Sequence, residues 1–108
     1  MYWEWRRNRK MDKYIVNMFD VSIDHISRET NEWLKEHLHK CSPIIIYDKQ
    51  EYGWFMPITL DDLDNSELEK IPQDLFYVLR FAQSNGCTWI MMDQAANRHS
   101  ELPRFKWN

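Results

Sequence analysis

The stretch IPQDLFYVLRFAQSNGCTWIMMD, residues 71–93, reads as a helix followed at once by a strand. Pro72 is placed as the first helical residue, where its fixed φ suits the helix and its missing N–H is no loss. Leu75, Phe76, Val78, Leu79 and Ala82 then recur at helical spacing and form one apolar stripe. Asn85-Gly86 ends the helix, with Gly86 as a left-handed cap. Cys87 to Asp93 has the composition and length of a β-strand, with Thr88, Ile90 and Met92 opposing Trp89 and Met91.

Working outward from that unit, the same grammar recurs. Asp48 to Gln50 is a polar turn between a strand at Ile44 to Tyr47, opened by Pro43, and a strand at Glu51 to Met56, closed by Pro57. These two strands read as a hairpin. Thr59 to Lys70 is an acidic connector with room for one short helical turn. Further upstream, Ser27 is an N-cap with Glu29 in the first turn, and the helix it opens runs to about Lys40 with Trp33, Leu34 and Leu38 on one side. Tyr14 to Ser22 has the length of a strand and is rich in β-formers. The order is therefore β-α-β-β-α-β, the split βαβ or ferredoxin-like pattern. It predicts an α+β domain, with a four-stranded antiparallel sheet and two helices on one face.

At 108 residues, 44% apolar and 29% charged, the chain has the size and composition of one folded domain that needs no disulfide or metal staple. Met1 to Asp12 reads as a basic aromatic leader (Trp3, Trp5, Arg6, Arg7, Arg9, Lys10) and a candidate for a poorly ordered extension; residues 13–108 make the domain. A net charge of −3 argues mildly against a dedicated nucleic-acid binder. With no apolar run at the N-terminus and no membrane-length stretch, the expected location is a reducing cytoplasm, with no membrane contact.

A sheet covered on one side should alternate apolar and polar residues. These strands do not. Tyr14, Val16 and Met18 oppose Ile15, Phe19 and Val21; Ile44, Ile45 and Ile46 run together; Tyr52, Trp54 and Met56 oppose Gly53 and Phe55. Two helices cover one face only. The other needs the aromatic leader and the Phe105-Lys106-Trp107 tail, a second copy of the chain, or a partner or ligand, because monomers seldom expose such a patch.

Several motifs resemble an uncharacterised bacterial family, the domain-of-unknown-function family numbered 5983. They are Val21-Ser22-x-x-His25-Ile26-Ser27, Tyr52-Gly53-Trp54-Phe55, Gly86-Cys87-x-Trp89 with Asp93, and Leu102-Pro103-x-Phe105-x-Trp107. The resemblance covers about Tyr14 to Trp107 and leaves the leader outside. The chain lacks the expected glycine turn between Asp93 and Leu102, and Lys106 stands where an acidic residue is common. The resemblance implies no activity and no catalytic residues. It does imply genomic company: plasmids, prophages and other mobile elements, beside anti-restriction and toxin–antitoxin genes.

Chemistry-bearing groups are sparse. His37-x-His39-x-Cys41 lacks a second ligand pair at zinc spacing, and no metal or cofactor is expected. Cys87 enters a strand and reads as buried filler. Asp24, His25 and Asp93 are the residues on which a small enzyme would rest, with no supporting motif. The acidic residues Asp61, Asp62, Asp64, Glu67 and Glu69, followed by Asp74, face only Lys70. Helix starts and solvation explain part of this. A negative ridge that docks on a basic protein surface explains the whole. The expectation is thus a non-enzymatic interaction protein of a phage or plasmid, an anti-defence inhibitor of the anti-CRISPR or anti-restriction type. It would bind a host defence protein or nucleoprotein complex through Asp61, Asp62, Asp64, Glu67 and Glu69 together with Tyr52, Trp54, Trp3 and Trp5. The alternative is a binder of single-stranded RNA, in which Tyr14 to Met18 and Tyr52 to Trp54 would serve as stacking strands. Homodimerisation through the open sheet face is compatible with either.

Overall fold

The computed structural model describes residues 15–40 and 42–107. Strand β1 is Met18–Ser22, followed by a 3-10 turn at Ile23–His25. Helix α1 is Arg28–His37; the short strand β2 is Tyr47–Asp48; β3 is Gly53–Pro57. A second 3-10 turn, Leu60–Asp62, leads to the four-residue helix α2, Asn65–Leu68, then α3, Gln73–Ser84, and β4, Trp89–Asp93.

The helix ends form as their residues dictate. The Ser27 side chain accepts from the Thr30 N–H at 3.1 Å and caps α1. Pro72 stands at the N-cap of α3, one position earlier than expected, a difference within the ordinary ambiguity of helix ends. Gly86 has φ +84°, the left-handed cap that stops α3. Within the acidic connector, Asp64 caps α2 and Glu67 closes a reciprocal capping box, so the expected single turn is a well-formed one.

The sheet departs from expectation. All four strands are present, but the spatial order is β1-β4-β3-β2 and β1 runs parallel to β4. The other two pairs are antiparallel, so the sheet is mixed rather than antiparallel throughout. A ferredoxin-like sheet would place β1 in the interior; here β4 lies there. The residues give the reason. β4 is Trp-Ile-Met-Met before its terminal Asp93 and suits a place between two neighbours. β1 carries exposed Asp20 on its outer face and suits an edge, where charge guards against stray pairing.

The inner face is formed by Phe19 and Val21, Ile90 and Met92, and Trp54 and Met56, in register across three strands. Helices α1 and α3 both cover this face, as expected: Asn31 of α1 accepts from the Trp54 indole N–H at 2.8 Å, and Phe81 of α3 meets Phe19 with ring centroids 5.8 Å apart. Leu34, Leu75, Val78, Leu79 and Ala82 are buried beneath them. Each full-sized aliphatic chain of that set contributes about 1.5–3 kcal/mol by burial. The isoleucine run divides: Ile44 and Ile46 enter the core while Ile45 stays exposed. Among the described residues no helix is long and apolar enough to cross a membrane.

Gly53 is fixed by packing. A Cβ there would lie 1.8 Å from the Met92 carbonyl oxygen, so β3 approaches β4 closely only because the side chain is missing.

Candidate functional site

The C-terminal tail was expected to cross the surface or to add an edge strand. Instead it is hydrogen-bonded along the segment that joins β1 to α1. The Ser22 N–H donates to the Asn97 carbonyl at 2.9 Å, and the Phe105 N–H donates to the Asp24 carbonyl at 2.8 Å. Arg98 pairs with the Asp24 carboxylate at 2.6 Å. The Trp107 indole N–H donates to the Ile26 carbonyl at 2.9 Å. Leu102 is buried in the core between these bonds.

His25 is the centre of this seam and is fully buried. Its Nε2 accepts from the His99 backbone N–H at 2.9 Å. The proton therefore sits on Nδ1, which donates to the Pro103 carbonyl at 2.7 Å. Both ring nitrogens are committed to the tail, and the His99 ring packs edge-on against Phe81 and Phe19. Asp24 and His25 thus hold structure on every polar atom for which a partner is described here. Asp93, the third residue of the enzyme reading, ends β4 in an ion pair with Lys49 and accepts from the Ala95 N–H at 2.7 Å. The Lys49 bond, then the Ala95 bond, hold its carboxyl below the ordinary value of 3.8. Among the described residues no group of three or more His, Cys, Asp or Glu side chains converges as a metal site would; Cys41 lies outside the described residues.

The acidic stretch divides into residues that hold the fold and residues that face solvent. Asp64 and Glu67 form the capping box, and the Asp64 carboxyl is held low by the Glu67 and Ser66 bonds. Asp74 ties the starts of two helices together: it accepts from the Ser27 N–H at 2.7 Å and the Thr30 hydroxyl at 2.5 Å. Asp61, Asp62 and Glu69 are exposed and carry no such duty among the described residues.

The aromatic partners expected for that stretch are elsewhere. Trp54 is 5% exposed and lies on the helix-covered face, so its ring is not offered at the surface. Tyr52 is half exposed, in the turn before β3. Trp3 and Trp5 lie outside the described residues, as does Tyr14. The aromatic residue that does meet the acidic stretch is Trp33. It was expected in the core, and it is half-buried instead, with its ring stacked on His37 at 4.1 Å between centroids. Trp33, Leu68, Ile71, Pro72 and Phe76 floor a groove of about 740 Å³ between α1, α2 and α3, with Glu69 and Lys70 on its rim. A second hollow of about 360 Å³ continues past Trp33 to Pro43 and Glu67. The signal for this site was in the sequence: Trp33 sits at the border of the α1 stripe rather than at its centre.

These features define a class: a small mixed α+β domain, sealed at one end by its own tail, with an aromatic and acidic groove on its helical layer. The particular family follows from the sequence profile of the C-terminal domain of DUF5983, a family of unknown function, which matches residues 18–107. The chain belongs to that family. Comparison with curated proteins and with solved structures finds no match to the chain.

Proposed function

We propose that this protein is a non-enzymatic interaction module that docks a basic protein segment, anchored by an apolar side chain, into the Trp33 groove. One observation carries the reading: the acidic connector passes beside a half-buried tryptophan and a phenylalanine that floor an open groove. A large aromatic in a partly desolvated pocket is the usual anchor of a protein interface, and the carboxylates of the rim set sign and approach rate. The mobile-element setting implied by the family resemblance directs the choice of partner. We favour a host defence protein or nucleoprotein complex, whose nucleic-acid groove supplies a basic surface.

The test is affinity capture from the host with the full chain, then titration of the purified captured complex. Trp33→Ala should weaken binding by about tenfold or more, as loss of a hot-spot anchor does. Glu69→Lys combined with Asp61→Lys should slow association and flatten its salt dependence. Asp64 and Glu67 are unsuitable for charge reversal, because they cap α2 and their loss would report on folding. If Trp33→Ala and Glu69→Lys leave the affinity unchanged, the groove is not the docking surface.

A further inference from the structure

The outer face of the sheet is apolar, and no described element lies over it. One row across the strands is Asp20, Met91, Phe55 and Tyr47; the next is Met18, Trp89 and Pro57. Met18, Ile45 and Tyr47 are 40%, 54% and 51% exposed, and Tyr47 stacks on Trp89 with ring centroids 6.1 Å apart. The tail that might have covered this face is committed to the seam on the other side, where Trp107 meets Ile26. A contiguous patch of this kind marks an interface.

We propose that residues 1–14 of the same chain are the occupant, with Trp3 and Trp5 packed over Tyr47, Phe55 and Trp89 and the leader's cations facing Asp20. Four observations favour this segment over a second copy or a foreign partner. The first is position. The Thr88 and Trp89 N–H groups both donate to the Asn17 carbonyl, at 3.0 and 3.2 Å, so the chain before β1 leaves the fold beside Trp89, at the border of the face. The second is continuity: Ile15 and Val16, next to the leader, are half exposed and extend the apolar patch towards it. The third is reach. Fourteen residues span up to about 46 Å when extended, while a four-stranded sheet is about 14 Å wide.

The fourth is charge. Residues 1–14 hold five Lys and Arg against two Asp and Glu; the remaining residues hold nine against fifteen. A leader of +3 faces a body of −6, and two copies of that body would repel one another. Asp20 is the carboxylate in the middle row of the face, and among the described residues no cation pairs with it.

The experiment is hydroxyl-radical footprinting of the full chain, read by mass spectrometry at Met18, Met91 and Tyr47, over a dilution series with light scattering. The expected result is a monomer in which all three residues are protected at every concentration. Trp3→Ser with Trp5→Ser should raise their oxidation severalfold. Asp20→Lys, which leaves the aromatic set intact, should raise oxidation of Met18 and Met91 and loosen the leader. A zero-length carbodiimide cross-link from Lys10 or Lys13 to Asp20 should form within the monomer. Rapid oxidation of the unaltered monomer would mean an uncovered face and would overturn the proposal. Protection that vanishes on dilution together with a dimer would assign the face to a second copy, which overturns it equally. Neither result touches the Trp33 groove.

Discussion

The seam and the outer sheet face are opposite kinds of surface. In the seam, Ser22, Asp24, His25 and Ile26 meet Asn97, Arg98, His99, Pro103, Phe105 and Trp107 through a run of hydrogen bonds. No buried side-chain polar atom among the described residues lacks a partner. On the outer face, Met18, Ile45 and Tyr47 have apolar area and no cover. The contrast separates two meanings of an eye-catching residue. The motifs Val21-Ser22-x-x-His25-Ile26-Ser27 and Leu102-Pro103-x-Phe105-x-Trp107 are the two sides of one seam, and their unusual residues hold the molecule shut. The outer face has no motif, yet it is the surface that asks for an occupant.

The comparison is sharpest at His25. His25→Ala should cost about 3 kcal/mol or more in urea unfolding, since it removes a buried ring and orphans the Pro103 carbonyl and the His99 N–H. Retention of full stability would mean that the tail does not need its pin. Trp107→Ala should cost about 2 kcal/mol by the same measurement, through lost packing and the lost bond to Ile26. Asp93 gives a pH test at the rim of the outer face. Its carboxyl is held low mainly by Lys49, so its contribution is present above pH 3.8 and is lost as pH falls through the lowered value. Lys49→Met should therefore lower stability at neutral pH and lose that deficit in acid; a deficit constant with pH would show that the pair is inert. Smallest of all, Tyr47→Ser should change stability by less than about 1 kcal/mol. A loss as large as that of His25→Ala would mean that the face is core and not interface.

Much of the architecture was legible because it is local. The Ser27 cap, the α3 stripe from Leu75 to Ala82 and the Gly86 stop each depend on a few neighbouring residues, and each formed as read. The two apolar sheet faces were legible for the same reason, from period-two alternation. Strand order was not. Whether β1 or β4 lies in the interior depends on competition between distant segments, and the weight of Asp20 on β1 against the unbroken Trp-Ile-Met-Met of β4 is plain only once both are compared for the same place. The groove was half legible. The acids Asp61 to Glu69 were visible as a run, but a helix wheel cannot say which of Asp64, Glu67 and Asp74 cap backbone N–H groups. Nor can it place Trp33 beside them and bury Trp54, which requires knowing where α2 returns.

The parallel pairing of β1 with β4 has a consequence for how the chain is made. Met18 finds its neighbour Trp89, and Ser22 finds Asn97, only after most of the polypeptide has been synthesised. On the ribosome, β1 emerges early and must wait without its ladder, while α1 and the β2–β3 hairpin can form as they appear. Contacts so distant in sequence slow folding and leave an edge strand open to stray pairing in the interval. Asp20 on β1 and the cationic run just ahead of it are then protection during that wait: charges at the growing chain's most sticky strand, present before the strand has anywhere to go.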